Sequence, residues 1–281
     1  MATAERPVAL RSVSGAAVAD PPASDPALYL YGIVAHPVDL PRCDAVEEGT
    51  AIDVIAGDGI ACVVSPVAAR DYASPATGRT AAEQLAWVTP RAWRHHDVVR
   101  RLHLATPVIP LKFGTLCSCA DDVRDMLARF SGPMGAMLAR FHGRDEWTLA
   151  IRIDAVRVTE RLERDDGELR ALCAQQRTLP EGRAYFVRKR RQQRVTELLS
   201  AELAATTRAV CARIAGHVDG CCEENTPVPA ATLLVDRARF MDLTACLAEL
   251  EAEHAVNALT LELRGPWAPY SFVDGQVFVG N

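Results

Sequence analysis

The sequence lacks a hydrophobic run long enough to cross a membrane. The longest stretch without Asp, Glu, Lys or Arg covers only residues 26–38 and contains a histidine and two prolines, whereas a spanning helix needs about 20 apolar residues. The chain of 281 residues holds 17 glycines and 17 prolines, too few for a collagen-like or disordered protein. These absences exclude the membrane-spanning, fibrous and disordered classes, and the length predicts roughly two globular domains.

The chain also lacks a strong excess of charge of either sign. It has 31 Lys and Arg residues against 36 Asp and Glu residues, a net charge of −5, so no overall field attracts nucleic acid or an anionic membrane. The cysteines number nine, an odd count spread along the chain, which is unlike a small disulfide-rich secreted protein. We therefore predict a cytoplasmic protein with reduced cysteines and without a nucleic-acid or membrane partner.

The common catalytic and nucleotide-binding signatures are missing as well. The run Gly57-Asp58-Gly59 lacks the third glycine of a dinucleotide-binding loop, and neither Lys112 nor Lys189, the only lysines, closes a P-loop. No nucleophile elbow of the form Gly-x-Ser-x-Gly and no His-Glu-x-x-His pair occurs. The sequence therefore predicts a protein that is not an enzyme and that has no catalytic residues, no metal and no cofactor.

Histidines and cysteines provide the alternative interpretation, a small-molecule-sensing or metal-dependent α+β protein. The residues concerned are His95, His96, His103, Cys117, Cys119, Cys221 and Cys222. No carboxylate stands at ligand spacing beside the histidines, and the cysteine pairs lack the two-residue gap of a zinc knuckle. We therefore interpret these side chains as packing residues.

Hydrophobic periodicity predicts an α+β fold with two small domains, each a mixed or antiparallel sheet covered by helices. We predict a flexible tail over residues 1–27, an N-terminal domain over 28–143 and a C-terminal domain with a long helix over 144–281. Strands are predicted over 28–34, 51–56, 60–67, 106–116, 145–154, 230–235 and 259–263. Helices are predicted over 80–88, 89–104, 121–141, 182–218 and 239–254, with Thr89 and Pro90 beginning the second of them.

Six positive charges without an acid stand near the start of the long predicted helix. They are Arg183, Arg188, Lys189, Arg190, Arg191 and Arg194, around the aromatic residues Tyr185 and Phe186. A solvated helix face, an acidic protein partner and nucleic acid are the three interpretations of such a stretch. Of these, the solvated face is the simplest, and a partner-binding role is the functional hypothesis.

Three aromatic residues, Trp267, Tyr270 and Phe272, follow one another closely near the end of the chain. The two prolines among them, Pro266 and Pro269, restrict the backbone and exclude a regular helix. Such a rigid segment either packs its aromatic rings into the core of its own domain or presents them to a partner. We predict core packing and keep partner binding as the alternative.

Several motifs in a fixed order resemble the gas vesicle protein F/L family. They are Leu28-Tyr29-Leu30-Tyr31-Gly32-Ile33, His96-Asp97-Val98-Val99, Pro107-Val108-Ile109-Pro110-Leu111-Lys112-Phe113-Gly114-Thr115, Gly182-Arg183-Ala184-Tyr185-Phe186 and Gly265-Pro266-Trp267-Ala268-Pro269-Tyr270-Ser271-Phe272. The last motif is the most specific. Two positions depart from the family's usual residues, since Lys112 stands in place of arginine and Ala268 in place of proline.

The resemblance implies a non-enzymatic accessory or minor structural protein of gas vesicles with a two-domain α+β fold. It further implies a chaperone-like partner of the small, very hydrophobic major shell protein, which would assist nucleation and prevent aggregation, and contacts with other gas vesicle accessory proteins. The expected location is the cytoplasm and the vesicle shell.

Overall fold

The computed structural model describes residues 26–40, 42–73, 80–224, 230–255 and 258–274. It forms two compact units. The first reaches Asp145 and includes the chain again from Trp267, and the second is Glu146–Pro266. The predicted boundary near residue 143 lies close to this division, but the end of the chain, predicted in the second domain, groups with the first unit. Residues 1–25 of the predicted tail lie outside the described residues.

The first unit contains a sheet in the order β2-β3-β1-β4, with β5 also paired to β1. Its strands are β1 (Pro26–Ala35), β2 (Asp53–Ala56), β3 (Ile60–Ala68), β4 (Val108–Pro110) and β5 (Leu116–Cys117), and its helices are α1 (Ala69–Ala73), α2 (Ala81–Ala105) and α3 (Ala120–Phe141). All four pairings are antiparallel. Strand β1 is almost wholly buried, and it lies inside the sheet, with β3 on one edge and β4 and β5 on the other.

The register of β1 against β3 shifts between Leu30 and Gly32, so Tyr31 is an extra residue in β1. The side chain of Tyr31 is fully buried. Its hydroxyl oxygen accepts a hydrogen bond from the Val46 N–H at 2.7 Å and lies 2.9 Å from the Ser65 hydroxyl. The bulge thereby holds the loop after β1 against the sheet.

Strands β2 and β3 form the hairpin that the Gly57-Asp58-Gly59 turn predicts. The pairing runs from Asp53 with Val64 to Ala56 with Ala61. The Gly57 N–H donates to the Ile60 carbonyl at 2.8 Å and closes the turn. The hairpin prediction is therefore confirmed.

The prediction of two helices over residues 80–104 is wrong, because α2 is continuous. Thr80 caps it in a capping box with Glu83. The Thr89 hydroxyl donates to the Leu85 carbonyl at 2.8 Å, so Thr89 does not act as the cap of a second helix. Pro90 stands inside the helix at an exposed position, where the carbonyl left without its N–H donor can bind water.

The second unit contains a sheet in the order β7-β8-β6-β9. Its strands are β6 (Arg144–Arg152), β7 (Gly220–Glu224), β8 (Ala230–Asp236) and β9 (Thr260–Trp267), and its helices are α4 (Ala155–Asp165), α5 (Gly167–Thr178), α6 (Glu181–Ile214) and α7 (Phe240–Glu253). Strand β7 and helices α4 and α5 lie where the sequence predicts no element. Its hydrophobic core includes Leu149, Val210, Leu233 and Leu247.

Helices α4 and α5 are short and begin at good caps. The carboxylates of Asp154 and Asp166 accept hydrogen bonds from the first backbone N–H groups of α4 and α5. Each helix buries few side chains, Val158 from α4 and Leu169 and Leu172 from α5. Among all described residues, we find no helix with the length and apolar character of a membrane span.

Candidate protein-binding surfaces

In the folded chain, some of the basic residues at the start of α6 lie beside carboxylates from other helices. Arg190 lies 2.9 Å from a carboxylate oxygen of Glu168 on α5. Arg191 forms an ion pair with Glu163 on α4. The residues predicted to form one positive patch therefore contribute partly to packing between α4, α5 and α6.

Arg194 is the most connected of these arginines. Its guanidinium nitrogens lie 3.1 Å from Asp166 and 3.4 Å from Glu168. The pKa of Asp166 lies below its ordinary value, mainly because its carboxylate accepts a hydrogen bond from the Leu169 N–H. The neighbouring Arg194 guanidinium lowers this pKa further. Arg194 therefore also stabilises the start of α5, where Asp166 is the cap.

The other three basic residues and two aromatic rings form an exposed group that we name the α6 surface: Arg183, Tyr185, Phe186, Arg188 and Lys189. The Tyr185 and Phe186 side chains are 56% and 71% exposed, and their rings meet edge to face with centroids 5.5 Å apart. Within the described ranges, no ion pair involves Arg183, Arg188 or Lys189. The sequence alone assigns no functional role to the two aromatic rings.

The C-terminal aromatic residues divide between the fold and the surface. Phe272 is buried, with the Arg140 guanidinium 5.9 Å from its ring centroid. Tyr270 is half-buried, and its hydroxyl lies 3.2 Å from the His95 Nε2 atom. Trp267 is 38% exposed. Of the three aromatic residues predicted as a candidate partner site, Trp267 alone offers a large exposed ring.

His95 lies at the centre of the aromatic core of the first unit. Its Nδ1 atom is 3.0 Å from the Tyr29 hydroxyl, which accepts a hydrogen bond from the Gly114 N–H. The imidazole stacks on the Tyr31 ring at 5.8 Å. Burial lowers the pKa of His95 to about 4. The imidazole is therefore neutral at pH 7 and serves to organise the core.

Acidification between pH 6.5 and about 4 is expected to reduce the free energy of unfolding by up to about 3 kcal/mol. In this range the unfolded chain protonates His95, whose ordinary pKa is 6.5, while the folded protein keeps it neutral. Protons thus favour the unfolded state as the pH falls, and above pH 6.5 the group has no effect. Denaturant unfolding at a series of pH values measures this loss.

The substitution His95→Gln should flatten the dependence of stability on pH in that interval. His96→Gln is the matched control, because His96 is the adjacent histidine of α2 and is only half-buried, so most of the dependence should remain. An unchanged slope in His95→Gln would contradict the assignment.

The histidines and cysteines of the alternative interpretation differ in their surroundings. His103 is buried and its Nε2 atom lies 2.7 Å from a carboxylate oxygen of Asp145. Cys117 is buried, whereas Cys119, Cys221 and Cys222 are exposed. In the part of the chain that the structure describes, no group of three His, Cys, Asp or Glu side chains is placed to hold a metal ion.

Comparison with known proteins gives consistent matches. The family model of gas vesicle synthesis protein GvpL/GvpF matches residues 27–274. Gas vesicle protein L of Streptomyces sp. (strain CB03234) is 28% identical over 233 residues, which cover 77% of this chain and 80% of that protein. Gas vesicle protein L2 of Halobacterium salinarum is 24% identical over 266 residues, covering 87% and 90% of the two chains.

Solved structures show the same fold. The crystal structure of the gas vesicle protein GvpF from Anabaena sp. PCC7120 has a TM-score of 0.67 at 15% identity and covers 88% of this chain and 98% of that one. GvpF from Microcystis aeruginosa has a TM-score of 0.58, also at 15% identity, and covers 88% and 99% of the two chains. The predicted α+β fold is confirmed.

Proposed function

This chain belongs to the GvpL/GvpF family of gas vesicle synthesis proteins, and from that premise we propose that it binds the major shell protein and assists vesicle nucleation and assembly. The predicted family resemblance is confirmed, and a role connected with gas vesicles follows from it. The finer proposal is a chaperone-like, non-enzymatic protein that acts in the cytoplasm and at the shell. It would cover apolar surface of the shell protein before that surface is buried in the vesicle wall.

The observation that supports binding is the exposure of Tyr185 and Phe186 among cations on the α6 surface. Large aromatic side chains with basic neighbours are typical of the few residues that provide most of the energy of a protein interface. An apolar partner would bury the two rings, while Arg183, Arg188 and Lys189 would bind acidic groups at the rim.

The double substitution Tyr185→Ser, Phe186→Ser is expected to weaken shell-protein binding at least about tenfold, because it removes both exposed rings. The measurement is the amount of shell protein that copurifies with the tagged chain from vesicle-forming cells. The matched control is Met241→Ser, which removes a side chain that is 73% exposed on α7 of the same unit.

Charge reversal tests the cations separately. Arg183→Glu, Arg188→Glu, Lys189→Glu should reduce copurification and the sensitivity of binding to salt, since these residues form no ion pair among the described residues. Arg208→Glu, at an exposed position further along α6, should leave binding unchanged. Retention of normal binding by both the aromatic and the charge variants would refute the proposed surface.

A further inference from the structure

The N-terminal half of α6 extends beyond the hydrophobic core of the second unit. That core includes residues of β6, β8 and α7, and its buried members from α6, Val210 and Ile214, lie near the C-terminal end of the helix. At 1.5 Å per residue, a helix of 34 residues is about 51 Å long. Helices α4 and α5 pack against α6, and their ion pairs reach its residues 190–202.

One face of this N-terminal half is covered along its length. At about 100° per residue, seven positions between residues 184 and 202 lie within about 100° of the helix circumference, and all seven are buried or half-buried. They are Ala184, Val187, Arg191, Arg194, Val195, Leu198 and Glu202. Arg191, Arg194 and Glu202 form ion pairs with α4 and α5, so this is the face that α4 and α5 cover.

Charged side chains contribute much of this contact. The 11 residues of α4 bury Val158, and the 12 residues of α5 bury Leu169 and Leu172. Arg161 of α4 lies 2.7 Å from a carboxylate oxygen of Glu202, and both side chains are more than a quarter exposed. Ion pairs that solvent reaches contribute little to stability and weaken as salt is added.

The contact also leaves a polar group unsatisfied. The Nε–H group of Arg161 is buried and has no hydrogen-bond acceptor among the residues that the structure describes. A buried donor without an acceptor costs free energy, and this cost disappears when water reaches the group. Few buried apolar side chains and an unsatisfied donor are typical of a region that opens locally.

We infer that residues 155–178, which we name the α4–α5 cover, separate from α6 while the rest of the second unit stays folded. In a second step, which rests on the proposed function, the uncovered face of α6 binds the partner of the adjacent α6 surface. Helices of 11 and 12 residues are marginal in water by themselves, so the separated cover loses its helical hydrogen bonds. The core residues of β6, β8 and α7 remain packed together.

The cover indicates which chemistry the uncovered face accepts. Its buried side chains are apolar, and its acids Glu163, Asp166 and Glu168 pair with arginines of α6. Once released, those arginines add to the cations of the α6 surface. The enlarged site therefore favours an apolar segment with acidic groups on its flanks.

Hydrogen–deuterium exchange of the full chain, followed by mass spectrometry, measures the separation. Backbone amides of the α4–α5 cover should exchange at least about tenfold faster than those of β8 and α7. The double substitution Glu163→Gln, Glu168→Gln weakens three ion pairs with α6. It should accelerate exchange of the cover by about tenfold more and leave β8 unchanged.

The matched control is Glu160→Gln, Asp165→Asn. It changes the net charge equally, at exposed positions of α4 whose side chains form no ion pair in the part of the chain that the structure describes. Its exchange should equal that of the wild type. Cover amides that exchange as slowly as those of β8, or equal exchange in the variant and the control, would overturn the inference.

Copurification of the shell protein tests the second step. When binding requires the open state, the apparent affinity is proportional to the open fraction, so Glu163→Gln, Glu168→Gln should retain several times more shell protein than the control. Faster exchange with unchanged binding would overturn this step, while loss of binding in Tyr185→Ser, Phe186→Ser would still support the proposed function. Absence of shell protein from the wild type would refute the proposed function and this step together, whereas the exchange rates would still decide the separation.

Discussion

Replacing Gly32 by alanine is expected to lower the free energy of unfolding of the first unit by about 3 kcal/mol. A Cβ atom at this position would lie 2.8 Å from Val108 Cγ2 and 2.9 Å from the Ile109 carbonyl oxygen. The second contact is with the backbone of β4, which is paired with β1 at this point, so neither strand can move without losing hydrogen bonds. Denaturant unfolding followed by circular dichroism measures the loss.

The control for this substitution is Gly135→Ala in α3. A Cβ atom there meets nothing within 4 Å, and alanine favours the helix by up to about 1 kcal/mol relative to glycine. Equal stability of the Gly32→Ala variant and the wild type would mean that β4 does not lie against β1 as described.

Replacing Gly265 by alanine is expected to destabilise the second unit by a similar amount, about 3 kcal/mol, for two reasons. A Cβ atom would lie 2.8 Å from Trp147 Cε3 and 2.9 Å from the Glu146 carbonyl oxygen. The residue also has φ +154°, a backbone conformation that favours glycine. Because Trp147 stacks on Phe240 at 4.5 Å, the indole cannot turn aside freely.

Gly49→Ala separates these two causes. Gly49 has φ +76° but open space around its Cβ position, so its substitution should cost only the backbone term, about 1 kcal/mol. A loss for Gly265→Ala no larger than the loss for Gly49→Ala would show that the overlap with Trp147 is relieved by local movement. Gly32→Ala thus tests the packing of the first unit, and Gly265→Ala tests that of the second.

Local sequence patterns predict the hairpin and the long helix correctly, because the signals lie within the elements themselves. The turn of Gly57-Asp58-Gly59 is bounded by apolar runs that pair directly across it. The two-helix prediction around Thr89 and Pro90 fails because both residues are good starts of a helix in isolation. The helix that begins after Thr80 is already formed when it reaches these residues, so adding further helical residues is more favourable than beginning a new helix.

The candidate surface could be predicted only in part. The sequence locates the positive charges but cannot show that Arg190, Arg191 and Arg194 meet carboxylates, since those acids precede them by 22 to 28 residues. The acids lie on α4 and α5, two helices at positions where the sequence predicts no element. These ion pairs depend on tertiary packing. The same packing makes Arg194 partly covered and leaves Lys189 exposed, so the sequence cannot distinguish the two residues.

The exposed position of Lys189 on the α6 surface makes this region accessible to selective chemical labelling. The chain contains two lysines, Lys112 and Lys189, and both are exposed. With arginine in place of Lys112, an amine-reactive fluorophore or photo-crosslinker would have one side-chain target, in addition to the α-amino group. The guanidinium groups that are paired with acids on α4 and α5 do not react with amine-reactive reagents. A crosslinked product would therefore report which molecule occupies the α6 surface while the ion pairs beneath it stay intact.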